Sequence, residues 1–215
     1  MRIPRHIGVI PDGNRRWAQK HNLNKEEGYT YGLGPGLELF KLCQKEGVEE
    51  LTFYGFTMDN TKRPAVQTKA FSKTCVEAVK MISREDASIL VVGNTETPMF
   101  PKELIPYTKE RKKCGTGGLK VNFLINYGWH WDLSNLNQNE SRSKKGIISS
   151  LKSQNVSRIN LIIRWGERRR LSGFLPAQSV YSDFYVVDSY WPDFKKEDFY
   201  DALRWYAKQD VTLGG

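Results

Sequence analysis

The sequence predicts an α/β protein: a single domain over 1–215 with a central, mostly parallel six-stranded sheet flanked by helices. Three observations carry that prediction. Short, near-continuous runs of Val, Ile, Leu and Phe recur at 6–10, 51–56, 89–92, 120–126, 159–164 and 184–187, as expected of strands buried on both faces. Helical periodicity fills the stretches between them, which implies right-handed crossovers and a layered fold. The length, 215 residues, with 39% hydrophobic and 27% charged side chains, suits one domain able to bury its own core.

The elements follow in order. The first strand ends at Pro11. Pro35 near a helix start, then Leu39, Leu42 and Cys43, with Gly47 just past the end, reads as the first long helix. After the 51–56 strand comes a polar loop over 58–64, expected to be mobile. Phe71, Cys75, Ala78, Val79 and Ile82 then occupy one helical face. The segment 134–145, rich in Ser, Asn and Lys, reads as an exposed or mobile loop. Beyond Trp191-Pro192, Phe199, Ala202, Leu203 and Tyr206 make a last apolar stripe. All three stripes are read as packing against the sheet, and ligands in such folds sit at the carboxyl ends of the strands.

No apolar run reaches the ~18 residues of a membrane span. Met1 to His6 runs straight into a strand, so no cleaved secretion signal is expected. Cys43, Cys75 and Cys114 are odd in number and lack metal-ligand spacing. They read as core filling in a reducing cytoplasm rather than as disulfides or a zinc site. The excess of 33 Lys and Arg over 24 Asp and Glu, net +9, points to an anionic partner such as a phosphorylated small molecule, a nucleic acid or an acidic membrane surface.

Position narrows that list. In Pro11-Asp12-Gly13-Asn14-Arg15-Arg16-Trp17, a strand end passes through a tight glycine turn into a helix carrying two arginines. Such a start can receive an anion, with Asp12 holding a hard cation such as Mg²⁺ against it. The plainer alternative is a helix cap with solvated arginines. Arg164-Trp165-Gly166-Glu167-Arg168-Arg169-Arg170-Leu171-Ser172 follows another strand, on the same sheet edge. Guanidinium groups bind phosphate bidentately, and Ser172 adds a donor. A solvated basic loop is the alternative there. Nucleic-acid binding finds a compact loop rather than a long stripe, so it is set aside. Arg63, in the loop that also holds Asn60, could close over a phosphate.

These segments, in order, resemble the cis-prenyltransferases, the undecaprenyl diphosphate synthase family. The resemblance runs through Asp12-Gly13-Asn14-x-Arg16-Trp17-Ala18, Leu51 to Phe56, Asn60-x-x-Arg63-Pro64, Asn126-Tyr127-Gly128, the Arg164 to Ser172 loop and Trp191-Pro192-Asp193-Phe194. It covers nearly the whole chain. It implies a hydrophobic tunnel for a growing prenyl chain, a homodimer or family heterodimer, and a cytoplasmic enzyme with peripheral membrane contact. It also implies Asp12 as Mg²⁺ ligand and catalytic group, with Asn14 and Asn60 as polar catalytic positions. Gly13, Arg15, Arg16 and Arg63 would hold an allylic diphosphate, Arg164, Arg170 and Ser172 a second one, and Trp17 is assigned to substrate binding. Asp183 would be a further metal ligand.

The chain departs from the family pattern at several positions. Lys25 and Tyr29 replace an arginine and a histidine and are assigned to substrate binding. Thr57 and Thr61 replace a serine and a tryptophan, Trp129-His130 a glycine-arginine pair, Arg169 a histidine, and Thr212-Leu213-Gly214 an Arg-x-Gly. Arg168 stands where the family has a metal-binding glutamate, and is assigned to substrate binding. At about 4 Å and an effective dielectric near 20, each unit-charge interaction is worth about 4 kcal/mol, so a guanidinium repels the ion a carboxylate would hold. The expected activity is ionisation of an allylic prenyl diphosphate and its coupling to isopentenyl or dimethylallyl diphosphate, with a short or non-head-to-tail product. The alternative is a non-catalytic subunit of another prenyltransferase.

Overall fold

The computed structural model describes residues 1–136 and 143–210. Its first half runs β1 (His6–Ile10), α1 (Asn14–Lys20), α2 (Gly28–Tyr31), α3 (Leu33–Lys45), β2 (Glu50–Tyr54), α4 (Ala65–Ile82) and β3 (Ala87–Val92). The second half adds β4 (Lys112–Cys114), β5 (Leu119–Leu124), α5 (Trp129–Asp132), α6 (Lys144–Ser150), β6 (Leu161–Trp165), β7 (Asp183–Val187) and α7 (Lys196–Ala207). Three 3₁₀ turns, Met58–Lys62, Lys102–Tyr107 and Trp191–Asp193, complete the list.

One sheet holds all seven strands in the order β4-β3-β5-β2-β1-β6-β7, every pair parallel except β3 with β4. The expected six strands are therefore seven. The extra one, Lys-Lys-Cys, has no apolar run to betray it, and its lysines suit an edge that must not recruit another chain. The runs at 51–56 and 120–126 outlast their strands because Phe56 and Ile125 stay fully buried after the ladder has ended. The 58–64 loop is folded as a 3₁₀ turn: the Asn60 side chain accepts from the Thr57 N–H at 3.1 Å. Of 134–145, residues 137–142 lie outside the described ones, as does Thr212-Leu213-Gly214, and α6 begins at Lys144.

Strand alternation separates two cores. Ile7, Val9, Leu51, Phe53, Val121 and Phe123 face the side covered by α3, α4 and α7. Ile10, Tyr54, Leu124 and Ile162 face the other side, under Phe174 and Leu175. Cys43 and Cys75 are buried filling in the first core, as expected, and burial pushes the Cys75 thiol up to about 12. Among the described residues no helix is long and apolar enough to cross a membrane.

The topology also places the site. The chain leaves β1 toward β2 on one side and returns as β6 on the other. A crevice opens where a parallel sheet reverses its order in this way, at the carboxyl ends of the strands. Ile10 pairs with Arg164, so the segments following β1 and within β6 end side by side.

Candidate active site

Asp12 and Arg164, 152 residues apart in sequence, meet there at 2.7 Å. Arg164 is 4% exposed. Its Nη2 donates to Asp12 Oδ2, and its Nη1 donates to the Arg170 carbonyl and, at 3.0 Å, to Ser172 Oγ. The other Asp12 oxygen accepts from the Gly13 N–H at 2.6 Å and lies 3.4 Å from Arg16 Nη2. Burial acts to raise the Asp12 pKa, but the hydrogen bond and charge of Arg164, with Gly13 N–H and Arg16, outweigh it. The net shift is downward, and Asp12 is a carboxylate throughout the neutral range.

The loop after β6 is held close by backbone geometry. Gly166 has φ +88°, and a Cβ there would sit 3.0 Å from the Asp12 carbonyl oxygen. Glu167 and Ser172 also adopt positive φ, 68° and 53°, a strained state for residues with side chains. Arg16 Nη2 reaches the Gly166 carbonyl at 2.8 Å, and Tyr54 donates its hydroxyl to the Ser172 carbonyl at 2.8 Å. Burial pushes the Tyr54 pKa up, so that hydroxyl keeps its proton.

These groups line one wide polar cleft. Among the described residues its walls carry Arg15, Arg16, Lys25, Arg63, Arg164, Arg168 and Arg170 against the carboxylates Asp12 and Asp59. Gly13, Asn14, Tyr29, Asn60 and Ser172 line it as well. Arg63 Nη1 donates to the Tyr29 hydroxyl at 3.0 Å, and Arg15 reaches Gln67 at 3.3 Å. Asn14 Nδ2 is used on the Pro11 carbonyl at 2.8 Å, while its Oδ1 is buried without a partner.

A second, apolar cavity adjoins the cleft and shares Pro11, Asn14, Tyr29, Gly55 and Phe71 with it. It descends between α3, α4 and the sheet, along the α4 face made by Phe71, Thr74, Cys75, Ala78, Met81 and Ile82. The twelve helical residues from Phe71 to Ile82 make a wall about 16 Å long. On the sheet it passes Gly55 and Ile125 and reaches Phe53 and Phe123, whose rings stack at 5.5 Å.

Two expectations are corrected here. Trp17 does not line the cleft: its ring stacks on His21 at 4.1 Å and its Nε1 donates to Asp193 at 2.7 Å, which makes it a packing residue. Asp183 opens β7 and aligns with Leu161 at the start of β6, three residues below the Arg164 level. That is about 10 Å toward the opposite end of the sheet. Within one chain it cannot share an ion with Asp12. The helix start also contributes less than expected, because α1 has only seven residues; its arginine side chains carry the anion-binding capacity. Sequence reasoning missed Tyr54, which points to the opposite sheet face from Phe53, and, although a hydrophobic tunnel was expected, named of the apolar cavity's walls only Asn14 and Tyr29 as site residues. The i, i+4 stripe of α4 signalled burial, but not that part of it faces a void.

Among the described residues no group of three His, Cys, Asp or Glu could hold a metal ion. Asp12 alone fits the way Mg²⁺ is commonly bound, through one carboxylate, waters and substrate phosphate oxygens. A cage of protein ligands does not fit.

Comparison with known proteins agrees with this architecture. Residues 10–214 match the prenyltransferase family model described as "Putative undecaprenyl diphosphate synthase". The chain is similar to the ditrans,polycis-undecaprenyl-diphosphate synthase ((2E,6E)-farnesyl-diphosphate specific) of Escherichia coli (strain K12), 30% identical over 98% of this chain and 90% of that one. It is 32% identical to an isoprenyl transferase of Clostridium perfringens, over 100% of this chain and 91% of the relative. The fold superposes on lavandulyl diphosphate synthase from Lavandula x intermedia in complex with dimethylallyl diphosphate, with TM-score 0.85 and 20% identity over 99% of this chain and 98% of that one.

Proposed function

The chain belongs to the undecaprenyl diphosphate synthase family of prenyltransferases, and from that premise we propose that it couples an allylic prenyl diphosphate to a second small isoprenoid diphosphate, isopentenyl or dimethylallyl. The carrying observation is the junction: a cationic cleft and an apolar cavity share five wall residues. That is the shape of an amphiphile with a diphosphate head and a hydrocarbon tail.

In this reading the allylic head lies against Arg15, Arg16 and Arg63, and its tail runs down the face of α4. The second diphosphate takes the Arg164, Arg170 and Ser172 side. The allylic C–O bond breaks heterolytically, leaving an allylic cation and diphosphate. The π electrons of the second substrate's double bond form the new C–C bond, and a proton is then lost. The guanidinium groups line the cleft in which that charge would accumulate, and Arg16, Arg63 and Arg164 are fixed there by hydrogen bonds to Gly166, Tyr29 and Asp12, which limits reorganisation. Mg²⁺, on which the family in general depends, would be held by Asp12 and would offset that same charge. Asn14 stands at the junction as well, and among the described residues its buried Oδ1 has no hydrogen-bond partner.

The Phe53–Phe123 floor supports a short product, because the next inward side chains on those strands, Leu51 and Val121, do not line the cavity. We also infer a second copy over the exposed Trp129, Leu171 and Val180, 51%, 37% and 65% accessible. Sedimentation at working concentration tests this, and a monomer removes it. The activity itself is tested with labelled isopentenyl diphosphate plus dimethylallyl, geranyl or farnesyl diphosphate in Mg²⁺. Chain product that disappears in Asp12→Ala is expected; no product from any pair overturns the assignment.

A further inference from the structure

Two carboxylates, Glu167 in the loop after β6 and Asp188 just past β7, are engaged by arginines other than Arg168 and Arg170. Glu167 pairs with Arg16 at 3.4 Å and Asp188 with Arg169 at 3.8 Å. Among the described residues Arg168 and Arg170 have no side-chain partner, and both are exposed in the cleft they line. The cleft as a whole sets seven cationic side chains against two carboxylates. Of these two, Asp12 is already bound on one oxygen by Arg164 and on the other by the Gly13 N–H.

We propose that the second diphosphate is held by protein cations alone, Arg168 and Arg170 acting with Arg164 and Ser172, and that it binds without a divalent ion. The proposal rests on the reading of the cleft given above. Two planar guanidinium groups offer paired N–H donors matched to phosphate oxygens. Their positive charge disfavours a second cation in the same place. The loop needs little ordering on binding, because Arg164 already fixes it through the Arg170 carbonyl and the Ser172 hydroxyl. A metal requirement is then confined to the Asp12 side, and the two substrates differ in how they respond to chelation.

Calorimetric titration of the full chain with isopentenyl diphosphate alone, in EDTA and in Mg²⁺, tests this. Dissociation constants within about threefold of one another are expected. Arg168 is exposed, so Arg168→Glu should leave the melting temperature unchanged, which a thermal melt checks. The variant should bind about tenfold or more weakly in EDTA, the value of a charge-assisted contact, and recover when Mg²⁺ is added. Loss of wild-type binding in EDTA overturns the proposal, and so does a variant that binds as tightly as wild type there. If isopentenyl diphosphate needs Mg²⁺ to bind yet product still forms, only this inference fails. If it binds in neither buffer and no substrate pair reacts, the functional reading has failed and takes the inference with it.

Discussion

Two clusters of buried charge lie at opposite ends of the same sheet, and they are built differently. At the amino ends of the strands, Glu50 is 4% exposed and His6 is 1% exposed. Asn122 Nδ2 donates to Glu50 at 2.6 Å and to Thr52 at 2.8 Å, and Arg111 lies 3.6 Å from Glu50. The His6 ring contacts Thr52 Oγ1 at 2.7 Å and Ser157 at 3.1 Å. Every charge there meets its complement. At the carboxyl ends, cations outnumber carboxylates among the described residues, and Lys25, Arg168 and Arg170 have no side-chain partner among them. Burial and perturbed ionisation mark both ends equally. An unbalanced excess of one sign, opening on a cavity, is what separates a binding site from a structural network.

The comparison breaks if residues at the two ends fail in the same way. The largest effect is expected from Asp12→Ala, a fall of about a thousandfold in kcat with an unchanged melting curve. Loss of stability with little loss of rate would make Asp12 a structural residue instead. Arg164→Met should lower kcat/KM about a hundredfold and also alter the pH profile. In the wild type Arg164 is the main agent lowering the Asp12 pKa against burial. Without it, burial is opposed only by the Gly13 N–H and Arg16, the pKa rises from its wild-type level, and the acid limb of kcat/KM moves to higher pH. An unmoved limb would show that another group governs it.

At the amino end the expected signature is the reverse. Glu50→Gln should destabilise the fold by about 3 kcal/mol, roughly 6–12 °C in melting temperature, with kcat of the folded protein unchanged. Acid should act at this end first. Burial lowers the His6 pKa below 6.5, so below that pH the unfolded chain takes up a proton that the native state refuses. Glu50, whose burial is outweighed by His6, Asn122, Ser157 and Arg111, is lowered from 4.5 and adds its loss further down. Stability therefore falls as pH drops below 6.5, through His6, and falls further below 4.5, through Glu50, which denaturant melts at stepped pH measure directly. The smallest change is expected from Phe123→Ala: a rate of the same order, but products at least one isoprene unit longer by mass spectrometry. An unaltered product would show that the aromatic floor does not limit length.

Legibility differed between the parts of the site. Asp12, Arg16, Arg63, Arg164, Arg168, Arg170 and Ser172 could be assigned to one sheet edge because each follows or ends an apolar run, and parallel strands deliver their carboxyl ends to one side. Trp17 was misplaced because a motif lists neighbours in sequence, whereas an indole ring goes where its N–H finds a partner, here Asp193. Asp183 was misplaced because the family resemblance assigned it by residue type, although it precedes the 184–187 run and so falls at the amino end of its strand.

What the sequence determined alone was the layered α/β plan, its buried parallel strands and the identity of the cations, all of which follow from short-range periodicity and from strand ends that point one way. The tertiary structure decided which cations stay unpaired, where the apolar cavity stops, and that Asp12 and Arg164 touch. Those depend on contacts between segments far apart in the chain, and a void is the absence of a side chain, which no local pattern records.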